Sequence, residues 1–313
     1  MRASAERKRR DQALSEVVGF VLLLAVVVSA LSIWMTYVVP ANGREAEITQ
    51  MNAVKDGFTD YKFSLDSLWT NNQTGVTLST NFNLGTPGSN TQAGGPFMFT
   101  KPIASSASLS VQDPGDTLMI NSSSATTDMV MNMGTVEYQS MNNYWIQESY
   151  VYETGGVFLQ QDEGSVCRIS PPFSIVRANN GTADVAYVNL VPIRVLAGGS
   201  VSGNGPVRID SMMQTVSQKA TLQPNYWVNI SFNMSDKQSA LMMMNMLNET
   251  RIRGNITESS WYKCGVSENP VTKRGTAFMR IEGPLGSTNP DVYLTLRTVD
   301  YVVTLNNIAS VIS

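Results

Sequence analysis

The run from Ser15 to Val39, SEVVGFVLLLAVVVSALSIWMTYVV, constrains this chain more than any other stretch. From Val17 to Val39 it holds 23 residues with no charge and no proline. A helix of that length, rising 1.5 Å per residue, crosses a hydrocarbon core about 30 Å thick. The run therefore predicts a membrane span or the core of a fibre. Just upstream stands Arg7-Lys8-Arg9-Arg10. Basic residues stay on the cytoplasmic side, so the residues after Val39 are expected outside the cell. A secretory signal has an apolar core of about 7–15 residues and a small-residue cleavage site after it. This run is longer and no such site follows, so it is expected to be kept. Glu16 lies at the cytoplasmic edge of the span, where a carboxylate is costly unless paired, and it is a candidate functional residue for that reason.

The basic leader, the junction Asp11-Gln12-Ala13, the segment Leu14-Ser15-Glu16-Val17-Val18-Gly19-Phe20 and the apolar helix together resemble the class III signal of archaeal type IV pilins and archaellins. The resemblance covers about 60 of 313 residues. A second stretch, Tyr144-Trp145, Tyr150-Val151-Tyr152-Glu153 and Gly155-Gly156-Val157, resembles uncharacterised pilin-like surface proteins of methanogens and haloarchaea. The resemblance implies that a prepilin peptidase, reading Arg10, Asp11, Gln12, Ala13 and Leu14, cuts between Asp11 and Leu14 on the cytoplasmic side of the helix, leaving the helix in the mature subunit. Placing Glu16 at the fifth mature position makes Gln12 the first residue. Aligning Ser15 with the serine of the haloarchaeal pattern moves the cut one or two residues on. It also implies that Glu16 serves assembly by pairing with the terminal amine of a neighbouring subunit. The implied partners are the membrane, the prepilin peptidase and pilus assembly machinery, and further copies of the chain in a helix-bundle filament.

Composition agrees with an exported, non-catalytic chain. Charged residues make up 15% of the chain, against about 25% in a typical soluble domain. Net charge is −3, and removing Arg2, Arg7, Lys8, Arg9 and Arg10 with Glu6 and Asp11 takes it to −6. With no basic run beyond the leader, nucleic acid is not an expected partner. The absence of histidine removes Ser-His-Asp and Cys-His catalysis, histidine metal sites and a histidine pH switch. Asp162-Glu163 and Asp113 with Asp116 read as solvated turns, since no calcium-loop pattern surrounds them. The glycine-rich run 198–205 has no Lys-Ser/Thr pair after it, so it is not expected to cradle phosphate. No enzymatic activity and no cofactor are expected. Met129, Met131 and Met133 share one face of a strand and read as core rather than a copper(I) site. Tyr144, Trp145, Tyr150 and Tyr152 read as core plus a wet edge, with a sugar-stacking platform as the alternative.

Cys167 and Cys264 are the two cysteines. In an oxidising exterior they are expected to form one disulfide, contributing about 4–5 kcal/mol by loop closure, with two buried free thiols as the alternative. Glycosylation sequons begin at Asn72, Asn121, Asn180, Asn229, Asn233, Asn248 and Asn255, all on the expected outer side.

The chain divides into a leader (1–13), a long helix (14–69) and an extracellular head (70–313). Pro40 predicts a kink or short break at Ala41-Asn42-Gly43. Beyond it Ile48, Met51, Val54, Phe58, Tyr61, Leu65 and Leu68 recur at helical spacing, the mark of an amphipathic upper half. The rest reads as strands, among them Tyr144-Trp145-Ile146 and a hairpin through Thr154-Gly155-Gly156. Gly85 to Pro96 reads as an exposed loop. One helix is expected after Ser235, from its capping-box spacing to Gln238 and the apolar run Leu241 to Leu247. The expected fold is α+β: a long hydrophobic N-terminal helix and a mainly antiparallel, β-sandwich-like extracellular head. The expected function is a pilin-like structural or adhesive subunit of an archaeal cell-surface filament. The alternative is a single-pass membrane-anchored surface protein that does not polymerise.

Overall fold

The computed structural model describes residues 2–86, 101–125, 128–196 and 198–307, with side-chain surroundings from Val17 on except at 220–223, 287 and 307. One helix runs without interruption through α1 (Arg2–Ile33), a π-helical turn (Trp34–Val38) and α2 (Val39–Thr70). At 1.5 Å per residue the rod is about 100 Å long. Pro40 lacks an N–H, and its ring crowds the carbonyl four residues back. The widened turn just before it relieves that conflict: the Val39 N–H donates to the Trp34 carbonyl, five residues back. The expected kink or break at Ala41-Asn42-Gly43 is thus replaced by continuous helix.

The head has three sheets, with strands numbered in chain order. The first runs β1 (Thr77–Leu84), β13 (Gly205–Asn225), β17 (Val292–Asn307), β10 (Asp184–Leu190), β9 (Phe173–Asn179), and β11 (Ile193–Leu196) also pairs with β17. The second runs β12 (Gly199–Gly203), β2 (Ser106–Gln112), β5 (Thr135–Met141), β6 (Glu148–Glu153), β7 (Gly156–Gln161), β8 (Gly164–Ile169). The third runs β15 (Tyr262–Glu268), β16 (Gly275–Ile281), β14 (Val228–Met234), β3 (Thr117–Ser122), β4 (Met129–Asn132). Pairing is antiparallel except where β10 and β11 join β17 in parallel. The α+β class expected from sequence is observed.

Two apolar cores form, each built around a helix. In the first, α2 lays Met51, Val54, Phe58, Tyr61, Leu65 and Leu68 against the inner faces of the first and second sheets. In the other, α3 (Lys237–Arg253) packs Met242, Met243, Met246 and Leu247 between the third sheet and the far end of the first. The two cores share β17: Val292, Leu294 and Leu296 enter the α3 core, while Val299, Tyr301 and Val303 enter the α2 core. Met131 and Met133 are buried in the α3 core with Met129 packed against it, as the period-two spacing of the methionines implied.

Local expectations meet mixed outcomes. The β6–β7 hairpin closes through Thr154 (φ 50°) and Gly155 (φ 89°), the two positive φ angles of a type I′ turn. Within the glycine-rich run, Gly199–Gly203 form β12 on the edge of β2, and Gly205 begins β13 against β1. Tyr144-Trp145-Ile146 is a bend between β5 and β6, since its N–H groups go to a side chain rather than to a strand. The cap of α3 is Asp236, one residue after Ser235, and its carboxylate accepts from the Ser239 N–H at 2.9 Å. The loop expected from Gly85 to Pro96 lies, beyond Thr86, outside the described residues.

Candidate assembly surface: the bare helix and its neck

From Val17 to Tyr37 every residue of the rod is exposed, on all faces. Phe20 is 65% and Val26 68% exposed, and no residue of this stretch belongs to either apolar core. Two of its hydroxyls are satisfied within the helix. Ser29 Oγ donates to the Ala25 carbonyl at 2.7 Å, and Ser32 Oγ to the Val28 carbonyl at 2.8 Å. Hydroxyls folded back onto the helix in this way can enter an apolar medium without an unmet hydrogen bond. At about 30 Å, the bare band matches a bilayer core in length. The helix is long and apolar enough to cross a membrane.

Where the rod enters the head, the bend after β5 grips it. Glu47 is 1% exposed and lies in the buried stripe of α2. Its Oε1 accepts from the Asn143 N–H at 2.7 Å, and its Oε2 from the N–H groups of Tyr144 (2.8 Å) and Trp145 (2.7 Å). Three charge-assisted bonds from consecutive amides offset the cost of burying that carboxylate. One turn earlier, Gly43 lets the Tyr144 ring lie on the helix, for a Cβ there would fall 2.4 Å from the ring's Cδ2. Beside it, the Arg44 guanidinium stands 4.4 Å over the Trp145 ring. The Tyr144 hydroxyl accepts from the Ile103 N–H at 3.1 Å, tying the segment before β2 to the same joint. Gly43, Arg44 and Glu47 were not singled out from sequence. A signal was present: Glu47 falls four residues from both Gly43 and Met51 on the stripe that the helix buries.

Farther up, Lys62, Tyr61 and Tyr301 find polar partners inside the α2 core, while the buried Tyr152 hydroxyl has none among the described residues. Lys62, nearly buried, pairs with Asp66 at 2.6 Å, and Asp66 also accepts from Trp69 Nε1 at 3.0 Å. Tyr301 donates to the Leu65 carbonyl at 2.6 Å, while Tyr61 and Ser211 share a hydrogen bond of 2.9 Å. Glu153 is the contrary case. It is 3% exposed, and its Oε1 has no hydrogen-bond partner among the described residues. Burial, reinforced by the charges of Asp116 and Glu137, pushes its carboxyl up to about 8.

The residues singled out from sequence do not converge. Arg10, Asp11, Gln12, Ala13, Leu14 and Glu16 lie in α1, and their side chains fall outside the described residues. Cys167 and Cys264 are free thiols, which corrects the expected disulfide. They sit on β8 and β15, the edges of different sheets, and α3 packs against both strands and keeps them apart. Burial raises the Cys167 thiol to about 11. Of the sequon asparagines, Asn72, Asn180, Asn233 and Asn255 are exposed and Asn121, Asn229 and Asn248 half-buried. Asp116 is engaged by Arg274 at 3.0 Å, and Asp113 accepts from the Gly115 N–H at 2.9 Å, so both serve the turn before β3. Comparison with known proteins returns no matching family model, no matching curated protein and no matching solved structure.

Proposed function

We propose that this chain is a pilin-like structural or adhesive subunit of an archaeal cell-surface filament, processed by a prepilin peptidase and assembled through its N-terminal helix. The observation that carries the reading is the contrast along one rod: a bare apolar half continues directly into a half sealed within a β-rich head. An apolar rod needs apolar surroundings, and a bilayer and a bundle of identical rods both supply them. A subunit that passes from the first to the second uses one surface twice. In this reading the leader is removed between Asp11 and Leu14, and the sheets make a sandwich-like exterior. Glycans on the exposed sequon asparagines face outward. Glu16 pairs with a neighbour's terminal amine, cancelling two charges that neither helix buries cheaply alone.

A second reading, a single-pass surface protein that does not polymerise, is favoured by the outward side of α2. Arg44, Glu45, Lys55, Asp56 and Asp60 are exposed there, so the bare apolar band ends after one bilayer thickness. Negative-stain microscopy of sheared surface material, with mass spectrometry of its components, separates the two. Filaments containing a chain that begins between Gln12 and Leu14 support the first. A chain confined to the membrane and still carrying Arg7 to Arg10 overturns it. In a filament-forming strain, Glu16→Ala should abolish incorporation while the exported head stays protease-resistant. Normal incorporation of that variant rejects the pairing role.

A further inference from the structure

A cleft of about 260 Å³ opens between α2 and the inner side of the second sheet. Its floor is apolar: Met51, Tyr150 and Leu159 line it and are buried. Trp145 forms a wall, and Asn52, Lys55, Glu148 and Arg168 bring polar groups to it. Of Tyr144, Trp145, Tyr150 and Tyr152, which the sequence reads as core plus a wet edge with sugar stacking as the alternative, Tyr150 and Tyr152 are buried, and Trp145 and Tyr150 line this cleft.

Several of its groups are uncommitted. The Tyr150 side chain is 4% exposed, yet its hydroxyl makes no hydrogen bond with any described residue. The ring is fixed from behind by stacking on Phe58, with centroids 6.0 Å apart. Arg168 is exposed and its guanidinium makes no hydrogen bond or ion pair with any described residue. Lys55 has only a 3.8 Å contact with Asp56, both side chains being largely in solvent. Of the negative groups, Glu148 is already held, its Oε1 accepting from Gln161 at 2.6 Å. Arg44 adds a further positive charge beside Trp145. Lys55 and Arg168 against Glu148 leave the lining with one net positive charge, on a chain whose net charge is −3.

The geometry points to this cleft as a binding site for an acidic saccharide, a sugar ring carrying a carboxylate. The ring packs over Trp145 and the apolar floor, the carboxylate meets Arg168 and Lys55, and ring hydroxyls bond to Tyr150, Asn52 and Glu148. Two planar aromatics over an apolar floor suit a ring's C–H face. A guanidinium with no internal partner suits a carboxylate, which it can hold through two parallel bonds. The site would give the adhesive form of the proposed function its ligand class, and it rests on that reading only for its biological setting.

The test is calorimetric titration of the full chain in detergent micelles with trigalacturonate, maltotriose and inorganic phosphate. Saturable binding of trigalacturonate is expected, with none of maltotriose. Arg168→Gln should weaken it at least tenfold and Lys55→Gln severalfold. Trp145→Ala should also weaken it by removing the wall on which the ring packs, while keeping the backbone N–H that Glu47 holds. Arg297→Gln, at an exposed cation on β17, should leave it unchanged. No saturable binding, or equal binding by Arg168→Gln and Lys55→Gln, overturns the proposal. Phosphate binding as tightly as trigalacturonate overturns the saccharide assignment. All of this is measured on unpolymerised chain, so failure here and failure to form filaments are separate results.

Discussion

The lower and upper halves of the long helix belong to one uninterrupted rod, yet they answer to different physics. Val17 to Tyr37 is exposed on all faces and belongs to neither apolar core; α2 is apolar on one stripe only, and that stripe is buried. A helix whose apolar surface covers its whole circumference is finished only by an external apolar medium, whereas a striped one is finished by its own chain. The boundary between them is the π-helical turn before Pro40. The joint just above it, where Glu47 collects three amides, ties the orientation of the rod to the head.

If the halves are independent in this sense, damage to one should leave the other intact. The largest effect is expected from Phe58→Ala, which empties a fully buried site in the α2 core. It should cost the head about 3–5 kcal/mol in a denaturant titration, with membrane partitioning unchanged. The reciprocal change, Val26→Lys, should weaken insertion by about 3 kcal/mol without moving the head's unfolding midpoint. A shared loss in both assays would break the comparison.

Two buried carboxylates sharpen it further. Glu47 accepts three hydrogen bonds, and Glu47→Ala should cost the head about 3 kcal/mol by leaving those amides unmet. Glu153 has the opposite sign. Its carboxyl is raised from 4.5 to about 8 in the folded chain, so between those values the folded state holds a proton that the unfolded state has lost. Stability on this account is fully present below pH 4.5 and falls as pH rises toward 8. Glu153→Gln should therefore stabilise the head by up to about 3 kcal/mol at pH 7 and have almost no effect at pH 4, as thermal melts at the two pH values would record. Equal effects at both pH values would remove the buried-acid explanation.

The smallest effect is expected at the cysteines. Cys264→Ser, at an exposed position on an edge strand, should change stability by less than about 0.5 kcal/mol. In the native chain Cys264 should alkylate quickly and Cys167 slowly, because Cys167 is half-buried and its thiol is raised. A mobility shift on reduction would instead restore the disulfide.

The α3 core shows where reading by pattern succeeds. Its methionine row on β4 and its helix after Ser235 were legible because period two and period 3.6 are local properties. The bend at Tyr144 was not legible, because its aromatic, β-prone residues meet a carboxylate that is 97 positions away in sequence. The same distance hid Gly43, Arg44 and Glu47.

By itself the sequence determined the apolar rod, the amphipathic stripe above it, a hairpin near Thr154-Gly155-Gly156 and the α+β class. Each follows from charge, period or turn chemistry within a short window. Only the tertiary structure decided that the rod stays continuous through Pro40, that Gly199–Gly203 pair with β2, that α3 separates the two cysteines, and that Trp145, Tyr150, Lys55 and Arg168 line one cleft. Those outcomes depend on which segments meet across long sequence separations, and no local pattern encodes such meetings.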